Sequence, residues 1–128
     1  MADLYVEVEV AAGSRRGGGE SFALDHVWTD SGIGVTAEGT GAQLLLVSVG
    51  VCVLNDVYRE ATGLQLDGVL VRVSGELDAQ TWSSAGITYE VEIDSPEDRA
   101  VVGDLLDRVD AVAEIPRIVR GEVTVSRR

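Results

Sequence analysis

Residues 4–10, LYVEVEV, alternate apolar and acidic side chains with a period of two, the pattern of a strand with one buried face. Residues 21–28, SFALDHVW, alternate more loosely and put Phe22, Leu24, His26 and Trp28 on one side. Between them AAGSRRGGG is turn material, so the two segments are expected to form a β-hairpin. Residues 29–41, TDSGIGVTAEGTG, hold four glycines and no strong period, and read as a loop. The next stretch, AQLLLVSVGVCVLNDVYREATG, is apolar on every side in its first half and polar in its second. Its length and lack of breakers predict a helix from about 42 to 61. A helix apolar all round belongs at the centre of a fold.

GVLVRVSGEL (68–77) and GITYEVEID (86–94) predict two strands, with DAQTWSS as the turn between them. Ser95-Pro96-Glu97-Asp98 reads as a helix start: an N-cap serine, a proline at the first position and acids in the first turn. Val101, Val102, Leu105, Leu106, Val109 and Val112 then recur at helical spacing, and Pro116 ends the segment. GEVTVS (121–126) predicts a last short strand. The order is β-β-α-β-β-α-β, an α+β class in a single domain over residues 1–128. A sheet covers one face of the central helix and little is left for the other. That predicts a homodimer in which the helix stacks on its twin.

Composition narrows the function. The net charge is −12, and all ten basic residues are arginine. Such acidity disfavours nucleic acid and anionic membranes as partners. A single cysteine makes no internal disulfide, and the acidic, alternating N-terminus is not of signal-peptide type. Both point to the reducing cytoplasm. The longest apolar run, Leu44 to Leu54, spans eleven residues, short of the about 20 that a membrane span needs.

Cys52 is the first candidate for chemistry. Its helical neighbours three and four positions away are Ser48, Val49, Asn55 and Asp56. The cysteine therefore sits where the helix turns polar, with hydroxyl, amide and carboxylate groups on its face. Free cysteines are more often small packed hydrophobes, and this face offers a carboxylate rather than a cation. Arg15 and Arg16 lie in the glycine-rich turn, where the ordinary reading is a solvated surface. The alternative is that one guanidinium folds inward onto an anion or thiolate. His26 is the only histidine and becomes a base for Cys52 only if the fold joins them. Trp28 is the best candidate for an aromatic pocket wall, and Tyr89 reads as core. No metal-ligand spacing and no phosphate loop is present, so no cofactor is expected.

GTGAQLLLVSVGVCVLNDVYREATGLQLDG (39–68), followed by GVLVRVSGELD, ITYEVEIDSPED and the last helix, resembles the OsmC/Ohr family. The resemblance implies an intertwined homodimer with two central helices enclosed by sheets and active sites at the dimer interface. There a peroxidatic cysteine attacks organic hydroperoxides, helped by an arginine and a glutamate. A second cysteine resolves the sulfenic acid, and dithiols reduce the disulfide. By position the peroxidatic cysteine is Cys52 and the arginine is Arg15 or Arg16. The glutamate's place falls at Gly41 and Ala42, with Gln43 next. The second cysteine's place, before a proline, is Ile115 ahead of Pro116. Without a second thiol, a sulfenic acid on Cys52 needs an external thiol or over-oxidises.

Three functions follow. The first is a divergent member that binds, and transforms where the ligand allows, a hydrophobic small molecule in a dimer-interface pocket. Cys52, Arg15 or Arg16, His26, Trp28, Ser48, Asn55 and Asp56 would line it. The second is a one-cysteine, thiol-dependent organic hydroperoxide reductase. The third is a non-catalytic dimeric partner protein. Fold alone does not choose among them.

Overall fold

The computed structural model describes residues 3–81, 83–121 and 125–127. Five strands and three helices follow in the order β1 (Asp3–Gly13), β2 (Phe22–His26), β3 (Thr29–Thr36), α1 (Gly41–Glu60), β4 (Gly68–Asp78), β5 (Ser84–Asp94), α2 (Arg99–Val112) and α3 (Glu114–Arg120). The strands form one antiparallel sheet in the order β2-β3-β1-β4-β5.

Alternation decides the two faces of this sheet. Val8, Val10 and Ala12 of β1, Val69, Val71 and Val73 of β4, and Ile33 and Val35 of β3 are buried on one face. Against them α1 packs Leu46, Val53, Leu54 and Val57. Gly50 sits at the crossing. A Cβ there would lie 3.0 Å from a methyl of Val10 and 3.1 Å from one of Val73. The missing side chain is what lets the helix lie so close to the sheet. Leu105 and Val109 of α2 and Ala113 complete the core. By length and composition α1 passes as a membrane span, although the apolar run inside it is short. In the structure 44% of that window is buried inside the fold.

The sequence reading fails at three places, each for a physical reason. β1 and β2 do not form a hairpin. β3, expected as loop, inserts between them and pairs with both. Its alternation is hidden because Gly32 to Val35 are buried on both faces. The outer face is closed by residues 14–20, which strap across the strand. A Cβ on Gly34 would fall 2.5 Å from the Glu20 side chain and 2.6 Å from Nε of Arg16, so any larger residue would have to displace the Arg16–Glu20 pair from the strand. Second, α2 begins at Arg99 with Asp98 as its N-cap. Ser95 instead donates to the Gln65 carbonyl and accepts from the Glu97 amide, closing a turn ahead of the helix. Third, Pro116 does not end a helix. It lies in the first turn of α3, where its missing N–H costs nothing. Of the expected last strand, residues 122–124 lie outside the described residues, and residues 125–127 carry no strand.

Candidate functional site

The sheet and α2 leave one side of α1 open. Leu44 and Leu45 are about half exposed there, at 49% and 48%. Ser48, Val51, Cys52 and Asn55 continue the open side as partly exposed residues. No charged side chain lies between Leu44 and Asn55.

Cys52 is partly exposed and also touches the core. Its thiol faces Asp56 one turn on, with Sγ 4.0 Å from Oδ2. Asp56 is 2% exposed, the one charged residue buried to that degree among the described residues. Its other oxygen accepts from Arg59 at 3.3 Å and from the Asn55 amide at 3.5 Å. Burial pushes this carboxyl above the usual aspartate range, against the pull of Arg59 and of Asn55.

His26 joins the same cluster from the far edge of the sheet. Its Nε2 lies 3.1 Å from Oδ1 of Asn55 and its Nδ1 2.8 Å from the Thr29 hydroxyl. One tautomer satisfies both: Nε2–H donates to the amide oxygen and Nδ1 accepts from threonine. Burial holds the imidazole below its ordinary value, opposed by the Asn55 contact, so the neutral ring this tautomer needs is favoured. The ring meets Tyr58 edge-on at 5.5 Å. Asn55 is thus oriented from both ends, with its oxygen toward His26 and its nitrogen toward Asp56. His26 and Cys52 share this network without touching.

Arg15 and Arg16 do not join it. Both lie on the sheet face turned away from α1. Arg15 pairs with Glu92 at 2.8 Å and Asp94 at 3.4 Å. Arg72 extends that ladder to Glu92 and Glu9. Arg16 pairs with Glu20 at 3.1 Å and donates to the Ser31 carbonyl, clasping the strap over Gly34. Within one chain neither arginine serves the Cys52 side. Trp28 sits in the two-residue turn between β2 and β3 and is half exposed. Trp82 lies outside the described residues.

The flank of α1 toward α3 carries a feature that the sequence reading missed. A cavity of about 310 Å³ opens between Leu45 and Val49 of α1, Ile87 and Tyr89 of β5, and Pro116, Val119 and Arg120 of α3. A smaller apolar pocket continues it, past the shared Leu45 and Ile87, to Val6 and Leu77. Leu45, Val49 and Cys52 are spaced i, i+4, i+7, so the cysteine lies on the helical stripe that walls this trough. At the α3 end the Tyr89 phenol donates to Asp110, which also accepts from Arg120 at 3.3 Å. The stripe was visible in the sequence, whereas the wall facing it was not, because β5 and α3 are far from α1 along the chain. Among the described residues no three His, Cys, Asp or Glu side chains converge to hold a metal ion.

No protein-family model matches the sequence, and no curated protein matches it. The structure is similar to the crystal structure of an OsmC-like hydroperoxide resistance protein from Jannaschia sp. CCS1. The match has a TM-score of 0.61 and covers 94% of this chain and 90% of that one, at 10% sequence identity. At that identity the likeness establishes an OsmC-like α+β fold.

Proposed function

We propose that this OsmC-like chain is a homodimer that binds an apolar small molecule in the trough beside Cys52. The observation that carries the reading is the trough itself. It is concave, mostly apolar and within the roughly 300–1,000 Å³ range of small-molecule sites. Leu45 and Val49 in its wall share a helical stripe with Cys52, which lies one turn beyond the lining residues. The open side of α1 supports the dimer. Two molecules of net charge −12 repel each other, and a face without charges is where they can meet. Phe22 and Leu24 of β2, 40% and 44% exposed on the same side of the sheet, extend that surface. We place the protein in the cytoplasm, where a lone thiol stays reduced.

Two-cysteine peroxidase turnover is closed to this chain, since Ile115 stands at the second thiol's position and Ala42 at the carboxylate's. The contact described at the Cys52 sulfur is a carboxylate, whereas peroxidatic cysteines need the thiolate form, which cations favour. Cys52 remains the nucleophile available to an electrophilic ligand. A one-cysteine hydroperoxide reductase served by an external thiol is the second reading, favoured by the partial exposure of Cys52.

The test has two arms. Nile red, an uncharged apolar dye, is expected to bind saturably to the native protein and to lose affinity at least tenfold in Val119→Trp, which fills the trough. Unchanged binding in that variant removes the trough from the reading. Intact-mass analysis after one equivalent of cumene hydroperoxide, with a sulfenic-acid trap and a Cys52→Ser control, is expected to show no rapid adduct. A fast adduct at Cys52 replaces the binding reading with the reductase.

A further inference from the structure

The trough has two unlike ends. The end near α1's N-terminus is walled by Val6, Leu46 and Leu77 and is almost wholly apolar. The other end holds Arg120, and no carboxylate lines the larger cavity. In a molecule of net charge −12 an apolar cavity whose one charged wall residue is a cation is a local exception. Arg120 is held only loosely. Its partner Asp110 is 3.3 Å away, and both side chains are more than half exposed, so the pair is weak. Asp110 is itself held in place by the Tyr89 phenol. Only one Arg120 nitrogen is engaged by that pair, and a guanidinium has five N–H donors in a planar fork.

Resting on the reading of the trough as a ligand site, we infer that its ligand is an elongated aliphatic molecule ending in a carboxylate. The chain lies between α1 and β5 and the head group sits on Arg120. Arg120 binds the carboxylate through two parallel N–H donors, the geometry that arginine supplies and lysine does not. Asp110 competes for the same cation. It keeps Arg120 neutralised when the trough is empty and lowers affinity for the anion. The ligand's carboxylate needs no proton, metal or redox partner to bind.

Calorimetric titration of the full chain with decanoate and decan-1-ol, which share a chain and differ in charge, tests this. The native protein is expected to bind decanoate at least tenfold more tightly, with the preference shrinking as salt is added. Arg120→Gln is expected to abolish the preference, bringing the decanoate and decan-1-ol affinities together. Asp110→Asn is expected to increase decanoate affinity severalfold. Equal affinities in the native protein overturn the assignment of the head group, as does a preference that survives Arg120→Gln. A trough that binds Nile red and decan-1-ol but shows no preference for decanoate leaves the apolar-ligand reading standing and sinks only this one. If none of the three binds, both fall.

Discussion

Asp56 is the residue on which the chemistry of the site turns. It is buried beside the thiol, and its carboxyl is raised mainly by loss of water. A folded-state value above the unfolded one means that the folded protein binds this proton more tightly. The stabilisation is complete below the unfolded value of roughly 4 and is lost as pH rises through the raised folded value. Asp56→Asn removes that titration. Urea unfolding of the variant is expected to gain on the native protein between about pH 4 and pH 7, levelling off once the pH passes the raised folded value. A gap that stays constant across that window means Asp56 is no less willing to ionise in the fold than outside it. The helical part of this cluster was legible from the sequence, because spacing of three and four puts Asn55 and Asp56 on the face of Cys52. The arrival of His26 was not. It depends on which strand lies at the sheet edge, and no local pattern encodes that. Arg15 and Arg16 were legible as candidates, but their acids, Glu92, Asp94 and Glu20, are set by cross-strand register and by the strap.

Two glycines in helices show how the same residue type does opposite work in two elements. Gly50 of α1 faces the methyls of Val10 and Val73, both fully buried and unable to yield. Gly103 of α2 has open space where its Cβ would be. Alanine is worth up to about 1 kcal/mol over glycine in a helix, and overpacking a core costs about 1–3 kcal/mol. Gly103→Ala is therefore expected to raise the thermal midpoint, and Gly50→Ala to lower it despite the same gain in helix propensity. Matched melts of the two variants check this, and a stabilised Gly50→Ala means the helix can lift from the sheet at little cost. The elements themselves were largely legible: α1, β1, β4 and β5 fall within a few residues of their sequence patterns, since the strands alternate and α1 is a long run without breakers. β3 was not, because the strap buries its second face and erases the alternation on which recognition of a half-exposed strand depends.

At the scale of the whole molecule the proposed dimer rests on the open side of α1. Ser48 lies at its centre, and Ser48→Glu would bring like charges together across a two-fold seam. Sedimentation is expected to show a dimer for the native chain and a monomer for this variant at the same concentration. An unchanged mass would move the contact to another surface. The sheet order has a separate consequence for biosynthesis. β1 comes first along the chain yet ends in the middle of the sheet, between β3 and β4. While the chain is being made, β1 is complete long before either neighbour exists, and both of its edges are unsatisfied. A nascent strand of that kind is an aggregation hazard. Glu7 and Glu9, which stand on the outer face in the finished fold, place two negative charges at alternate positions of the exposed segment. Like charges brought face to face oppose the pairing of two such strands, a protection needed only until β3 and β4 claim those edges.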